Sequence, residues 1–149
     1  MSSFNLSPEM MRSIIMDHYQ YPHNKRHEAS KDYFEIHQES ESCVDDIFVM
    51  AKIKDGVIED VCFDGVACAI STAATSVMTD LLKGKSVAEA EKVITNYNNM
   101  IFEKPYDAEL LGEGIAFQNV HKQANRIRCA TIGWDGISKL IEQSKQGKK

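Results

Sequence analysis

Three cysteines and one aspartate are the residues of this sequence whose types suit metal or sulfur chemistry. Cys43 lies two positions before Asp45 at the predicted beginning of a strand, and Cys68 and Cys129 each fall where a helix is predicted to begin. Helix N-termini favour thiolate over thiol, and thiolate is the form that binds metal and attacks sulfur. Three thiolates and one carboxylate are a ligand set that tetrahedral zinc accepts.

The spacing of these residues is a weak signal by itself, because the sequence has no CxxC pair and matches no short zinc motif. Each cysteine could instead be a small buried hydrophobic residue, and spacing alone leaves both interpretations of Cys43 open. The proposed ligand set carries more negative charge than zinc neutralises. Arg126 and Arg128, both close to Cys129 in sequence, are predicted to offset the excess.

Composition narrows the function classes. The chain has 149 residues, 43% apolar and 26% charged, which predicts one globular domain spanning residues 1–149. A net charge of −5 argues against a nucleic-acid-binding protein. No apolar window is long enough to span a membrane, and no secretory signal is visible at the N-terminus. We therefore expect a cytoplasmic protein with reduced thiols and no membrane partner.

The elements that must position the cysteines begin with a helix that starts at Ser7–Pro8 and ends before Pro22. Residues 23–42 are predicted to form a loop with a short extended piece at 33–36. A hairpin around residues 54–56 joins two strands. Cys62, on the second strand, is predicted to pack between sheet and helices or to lie at an edge.

Helices follow the strands. One is predicted from Cys68 to Gly84, a second opens with the capping box Ser86–Glu89, and the last begins at about Ala130. A short helical piece is predicted at 115–120. This order predicts an α+β fold in which helices cover one face of a small antiparallel β-sheet.

The histidines carry weaker signals. His18 is predicted to be an ordinary histidine at a helix end, and the other four are predicted to be solvated. His121 is the one that could supply an alternative zinc ligand from the late loop. Trp134 is predicted to pack in the core.

Five segments, in order, resemble the SufU/IscU family of iron–sulfur cluster assembly proteins, which is similar to NifU N-terminal domains. They are "IIMDHYQYPHNK" (14–25), "SCVDD" (42–46), "GVACAISTAATS" (65–76), "LLKGKSVAEA" (81–90) and "RIRCATIGWDGI" (126–137). IscU-type scaffolds have a histidine just before the third cysteine, where this chain has Arg128. The stretch 99–125 resembles one found in SufU-type proteins, so the SufU branch is the better match.

The resemblance implies a zinc-dependent sulfurtransferase that takes persulfide sulfur from a SufS-type, pyridoxal-phosphate cysteine desulfurase and passes it to downstream iron–sulfur assembly proteins. It implies that Cys43 is the acceptor and that Asp45, Cys68 and Cys129 are the remaining zinc ligands. In the family, a histidine of the desulfurase takes the metal position and frees the acceptor cysteine. We hypothesise that Arg126 neutralises Asp45 or the desulfurase-bound state, which requires that Arg126→Ala change zinc affinity or desulfurase activation.

Two alternatives stay open. The same three cysteines could be a scaffold for a [2Fe–2S] cluster, or they could form a structural zinc site without sulfur chemistry. Val44 also departs from the family's glycine. Because valine does not readily adopt positive φ, the loop could place Asp46 instead of Asp45 as the carboxylate ligand.

Overall fold

Four α-helices and three strands make up the regular structure that a computed structural model describes for residues 6–28, 30–40 and 44–147. In chain order they are α1 (Pro8–Gln20), β1 (Phe34–Glu39), β2 (Asp46–Lys54), β3 (Val57–Val66), α2 (Ala69–Leu82), α3 (Val87–Ile101) and α4 (Ala124–Lys145). Three short 3₁₀ turns connect α3 to α4 (Ala108–Leu110, Gly112–Phe117 and Val120–Lys122). None of the helices in this described part of the chain is long and apolar enough to cross a membrane.

The sheet is antiparallel, with strand order β1-β2-β3. The hairpin predicted around residues 54–56 is confirmed, and Asp55 and Gly56 both have positive φ (53° and 73°), as a two-residue type I′ turn requires. Helix α4 packs on β1 and β2, and α2 packs on β3. The predicted α+β fold, an antiparallel sheet covered by helices, is confirmed.

The predicted helix starts are confirmed at α1 and α3. The Ser7 hydroxyl accepts a hydrogen bond from the Met10 backbone N–H, and Ser86 does the same for Glu89. These side chains satisfy N–H groups that have no partner within the helix. Trp134 is buried, as predicted, and stacks on Tyr97 with ring centroids 3.8 Å apart.

Strand β1 is longer than the predicted extended piece at 33–36. Its second half is polar in sequence, but Gln38 is buried and its amide donates to the Ile132 carbonyl on α4 at 3.1 Å. This hydrogen bond compensates for burying the amide. A polar residue therefore occupies a core-facing position, and the second half of β1 lacks the alternation of apolar and polar residues that would have predicted a strand.

Cys62 was expected between the sheet and the helices or at an edge. The first expectation is wrong, whereas the second agrees with the position of β3 at an edge of the described sheet. Cys62 lies in β3 opposite Met50 and is fully buried. The loop that carries Arg26 and Glu28 covers this side of the sheet, and the Glu28 N–H points at the Met50 sulfur. Burial raises the pKa of the Cys62 thiol to about 11. Cys62 is therefore a protonated, structural thiol.

Helix α4 begins at Ala124, so the prediction of a start near Ala130 is wrong. No side chain caps the true start at Gln123. The segment 124–128 lacks the apolar stripe that marked the rest of the helix. Ala124, Arg126 and Arg128 nevertheless have good helical propensity, and the turns before them lead directly into the helix. Cys129 consequently lies inside α4.

Helices α2 and α4 approach each other closely at Gly133. A Cβ atom built on Gly133 would lie 2.3 Å from Oγ1 of Thr75, closer than real contacts allow. Ser71 lies one turn before Thr75, and Cys129 lies one turn before Gly133. Because Gly133 has no side chain, the two helices can pack closely enough for Ser71 to contact Cys129.

Candidate metal centre

Asp45, Cys68 and Cys129 come together at one end of the sheet. Their ligand atoms, one carboxylate oxygen and two sulfurs, all lie within 4.8 Å of one another. Asp45 precedes β2, Cys68 caps α2, and Cys129 lies in α4. Three segments that are distant in sequence thus supply three of the four predicted ligands.

Asp45 is held in place by α2. Its carboxylate is buried and accepts a hydrogen bond from the Cys68 backbone N–H at 2.8 Å and another from the Ser71 hydroxyl. The first bond places a negative charge at the positive end of the α2 dipole. Buried carboxylates need such partners, so the position of Asp45 is defined before any metal binds.

Gly65 allows β3 to approach this end of β2. Its φ is +118°, and a Cβ atom there would lie 2.2 Å from the carbonyl oxygen of Asp46. Any other side chain would strain the backbone and push the two strands apart beside Asp45.

Cys68 acts as the N-cap of α2 through its sulfur, which accepts from the Ser71 N–H at 3.5 Å. The guanidinium of Arg126 lies 3.9 Å from the same sulfur. Both neighbours would stabilise the negative charge of a metal-bound sulfur at this position.

Cys129 reaches the cluster from within a helix. The predicted helix-start argument does not apply to it, because its sulfur lies 3.9 Å from the Asn125 carbonyl of the preceding turn. It is buried, and the Ser71 hydroxyl oxygen lies 3.0 Å from its backbone carbonyl. Packing of α4 against α2 positions Cys129.

The two arginines differ. Arg126 contacts the cluster, whereas the guanidinium of Arg128 lies 3.3 Å from the carboxylate of Asp135 on the same helix. Of the two predicted charge-compensating residues, the described contacts therefore bring only Arg126 to a cysteine.

The predicted acceptor, Cys43, lies outside the described residues. Its neighbour Val44 is described and exposed. Val44 is not among the non-glycine residues with positive φ, which in the described part of the chain are Asn24, Asp55 and Glu103. The backbone here does not require the conformation that glycine would favour.

Asp46 pairs with a histidine and is not part of the cluster that Asp45 forms with Cys68 and Cys129 among the described residues. Its carboxylate forms an ion pair with the His37 side chain, and this hydrogen bond raises the pKa of His37. Of the two candidate carboxylates, Asp45 is the one that lies beside Cys68 and Cys129.

The donor set fits zinc. Tetrahedral zinc with S at about 2.3 Å and O at about 2.0 Å separates its ligand atoms by roughly 3.5–3.8 Å. The present ligand atoms lie within 4.8 Å of one another, so side-chain shifts of about 1 Å would close the site. Asp45, Cys68 and Cys129 would hold the ion, with the remaining ligand from Cys43.

Exchanging the two aspartates for asparagine should separate their roles. We expect Asp45→Asn to weaken zinc binding by more than about 10-fold, because it removes a charged ligand, whereas Asp46→Asn leaves affinity unchanged. Competition against a chromophoric zinc chelator measures both variants. If Asp45→Asn bound zinc as tightly as the wild-type protein and Asp46→Asn do, Asp45 would not be a zinc ligand.

The sequence analysis did not predict the contacts of two residues in and near the site, Ser71 and His18. Ser71 holds Asp45, and the only sequence signal was a hydroxyl three residues after a helix-capping position. His18 is in the last turn of α1 but is buried and bonded through both ring nitrogens, unlike an ordinary helix-end histidine. His121 bonds to the Gln118 carbonyl and pairs with Glu103, which gives no support to its role as an alternative zinc ligand.

Comparison with known proteins places the chain in a family. The model of the NifU-like N terminal domain matches residues 10–145, so the chain belongs to the family of NifU-like N-terminal domains. The resemblance drawn from the five sequence segments is thereby confirmed.

Relatives within this family have more specific names. The chain is 34% identical over 147 residues to the zinc-dependent sulfurtransferase SufU of Bacillus subtilis, covering 97% of this chain and 99% of that protein. It is 35% identical over 135 residues to the iron–sulfur cluster assembly scaffold protein IscU of Streptococcus pyogenes, covering 89% and 82%. It also superposes on the crystal structure of FiSufU from Fervidobacterium islandicum with a TM-score of 0.74 and 31% identity, covering 85% and 92%.

Proposed function

We propose that this protein is a zinc-dependent sulfur acceptor that takes persulfide sulfur from a SufS-type cysteine desulfurase for iron–sulfur cluster assembly. The observation that carries the proposal is the cluster of Asp45, Cys68 and Cys129, buried or half-buried, with Arg126 beside a cysteine sulfur. The similarity to the protein of Bacillus subtilis that is named zinc-dependent sulfurtransferase SufU supports it. Thiols that must stay reduced suit the cytoplasm, which we propose as the compartment.

Cys43 is the acceptor in this proposal. Its thiolate attacks the outer sulfur of the persulfide on the desulfurase. One S–S bond forms at Cys43, the S–S bond of the donor breaks, and the desulfurase cysteine leaves as a thiolate. The reaction needs no added oxidant or reductant. Bound zinc would supply a redox-inert cation that keeps the ligating thiols deprotonated.

The other residues hold the site while Cys43 reacts. Asp45 keeps two hydrogen bonds to α2, and Cys68 and Cys129 are fixed by helix packing. In this proposal the leaving ligand is Cys43, because contacts with α2 or α4 hold the other three ligands. A neutral histidine of the desulfurase in place of the Cys43 thiolate would relieve the excess negative charge of the ligand set.

The surface next to the site has room for a partner. Val44 and Val66, which neighbour Cys43 and Cys68 in sequence, are two-thirds exposed (67% and 68%). A cavity of about 300 Å³ reaches Arg126 and Ile70 from the α1 side. Exposed apolar side chains around a charged centre are what a docking desulfurase would cover.

The second candidate is a scaffold on which a [2Fe–2S] cluster forms on the same cysteines. The similarity to the protein of Streptococcus pyogenes that is named iron–sulfur cluster assembly scaffold protein IscU favours it. Arg128 counts against it, because IscU-type scaffolds have a histidine at this position. The Arg128 side chain pairs with Asp135 instead of contacting the cluster.

Desulfurase turnover tests the proposal. We expect the zinc-loaded protein to stimulate alanine release from cysteine by a SufS-type desulfurase at least about tenfold, because it removes sulfur from the enzyme. Metal analysis of aerobically purified protein should give zinc near one equivalent per chain at the cysteine centre. Brown protein with bound iron and sulfide, and no stimulation, would favour the scaffold.

A further inference from the structure

Ser71 contacts all three of the candidate ligands that the structure describes, although it is not itself a member of the ligand set. Its backbone N–H points at the Cys68 sulfur at 3.5 Å, and its hydroxyl donates to Oδ2 of Asp45. The same hydroxyl oxygen lies 3.0 Å from the backbone carbonyl of Cys129. The side chain is fully buried in the first turn of α2. One serine is therefore shared by three segments that converge from distant parts of the chain.

The single hydroxyl proton of Ser71 has two oxygen acceptors within reach, the Asp45 carboxylate and the Cys129 carbonyl. An ionised carboxylate is the stronger acceptor, because its charge strengthens the hydrogen bond. A carbonyl inside a helix also accepts the N–H of the residue four positions later, which for Cys129 is Gly133 on α4. The hydroxyl proton is therefore assigned to Asp45.

The Asp45 carboxylate is held at both of its oxygens. Oδ1 accepts from the Cys68 backbone N–H at 2.8 Å, and Oδ2 accepts from Ser71. Each oxygen has two lone pairs, so each keeps one that a metal can use. The main chain is held from the opposite side, because the Asp45 carbonyl accepts from the Ser40 N–H at 3.0 Å. Loss of the hydroxyl would leave the ligand in place but free the carboxylate to rotate about the remaining bond.

We propose that Ser71 is a positioning residue of the metal centre, whose hydroxyl holds Asp45 in the orientation that binds zinc and keeps it bound while Cys43 is exchanged. Ser71 acts through Asp45 and does not touch the ion. Partners that hydrogen-bond to a ligating carboxylate typically contribute about 10- to 100-fold to metal affinity. This inference rests on the zinc centre of the proposed function but not on the transfer of sulfur.

Zinc competition with Ser71→Ala tests this role. Alanine keeps the helix and the backbone N–H that contacts the Cys68 sulfur, so the variant removes only the hydroxyl. We expect zinc affinity to fall about 10-fold. In the cobalt-substituted protein, sulfur-to-cobalt charge-transfer absorption should remain because the cysteines still bind. The ligand-field bands should shift because the carboxylate is displaced.

Ser76→Ala is the matched control. Ser76 is buried on the same helix, and its hydroxyl oxygen lies 2.8 Å from both the His23 backbone nitrogen and Nδ1 of His18. Its removal also costs buried hydrogen bonds, but away from the cysteines. The variant should keep the zinc affinity and the cobalt spectrum of the wild-type protein. Equal losses in both serine variants would overturn the proposal, because they would indicate a general loss of packing.

A double-variant cycle shows whether Ser71 acts through Asp45. If it does, adding Ser71→Ala to Asp45→Asn should lower zinc affinity less than about threefold further, because the carboxylate that the hydroxyl orients is absent. The full 10-fold loss in that background, or wild-type affinity in Ser71→Ala alone, would overturn the role of Ser71 and leave the zinc centre standing. A wild-type protein that binds no zinc would overturn both.

Discussion

Replacing Cys43 with alanine is expected to reduce the desulfurase rate, measured with this protein present, to the rate of the desulfurase alone. The alanine variant has no thiolate to attack the donor persulfide, whereas Cys68 and Cys129 are fixed by helix contacts. Alanine release under single and multiple turnover measures the effect, and zinc content is determined in parallel. If the wild-type protein increases the desulfurase rate tenfold, the variant is expected to give no increase at all.

Cys62→Ala is the matched control for this experiment. Cys62 is fully buried on the far side of the sheet, and its pKa of about 11 keeps it protonated. The variant should stimulate the desulfurase like the wild-type protein, with a stability loss of about 1 kcal/mol from the small cavity. Normal stimulation by Cys43→Ala would contradict the assignment of Cys43 as acceptor, and equal losses in both variants would point to general damage.

Gly133→Ala is expected to destabilise the protein by about 1–3 kcal/mol, although the same change stabilises most helices by up to about 1 kcal/mol. The added methyl would meet Oγ1, Cγ2 and Cβ of Thr75 at 2.3, 2.8 and 2.9 Å. To relieve this steric clash, α4 must move away from α2, and this movement also separates Cys129 from Ser71. Urea unfolding measures the free energy, and zinc competition measures the effect on the centre.

Thr75→Ala provides the rescue. The Thr75 hydroxyl is buried and has no hydrogen-bond partner among the residues that the structure describes, so its removal breaks none of the described hydrogen bonds. The double variant loses the two closest contacts and should recover more than about 1 kcal/mol relative to the sum of the single changes. Additive free energies would show that the close approach of the helices at Gly133 does not limit stability.

Local sequence signals predicted the elements well where a single residue type determines them. Ser7 and Ser86 cap helices because their hydroxyls accept backbone N–H groups, and Asp55–Gly56 turns the chain because both residues tolerate positive φ. Cys68 was placed correctly for the same reason. These features depend only on residues within one turn.

The rest depended on tertiary contacts. Gln38 is a core residue because Ile132 on another element accepts its hydrogen bond, and His18 is buried because Ser76 and Glu113 satisfy its nitrogens. Cys129 was placed before its helix because the residues ahead of it carry no apolar stripe. For Gln38 and His18, polarity suggested an exposed position, and only the folded structure supplies the partners that compensate for burial.

The cysteine centre also has a consequence for the order of folding. Asp45 and Cys68 are 23 positions apart in sequence, and Ser71 and Cys129 are 58 apart, so the site closes two long loops. Closing these loops costs chain entropy, and the formation of α1, α2 and α3 as separate helices does not offset that cost. The ligands converge only after α4 has docked on α2. A chain in which α4 has not docked on α2 therefore lacks the assembled cluster of Asp45, Cys68 and Cys129.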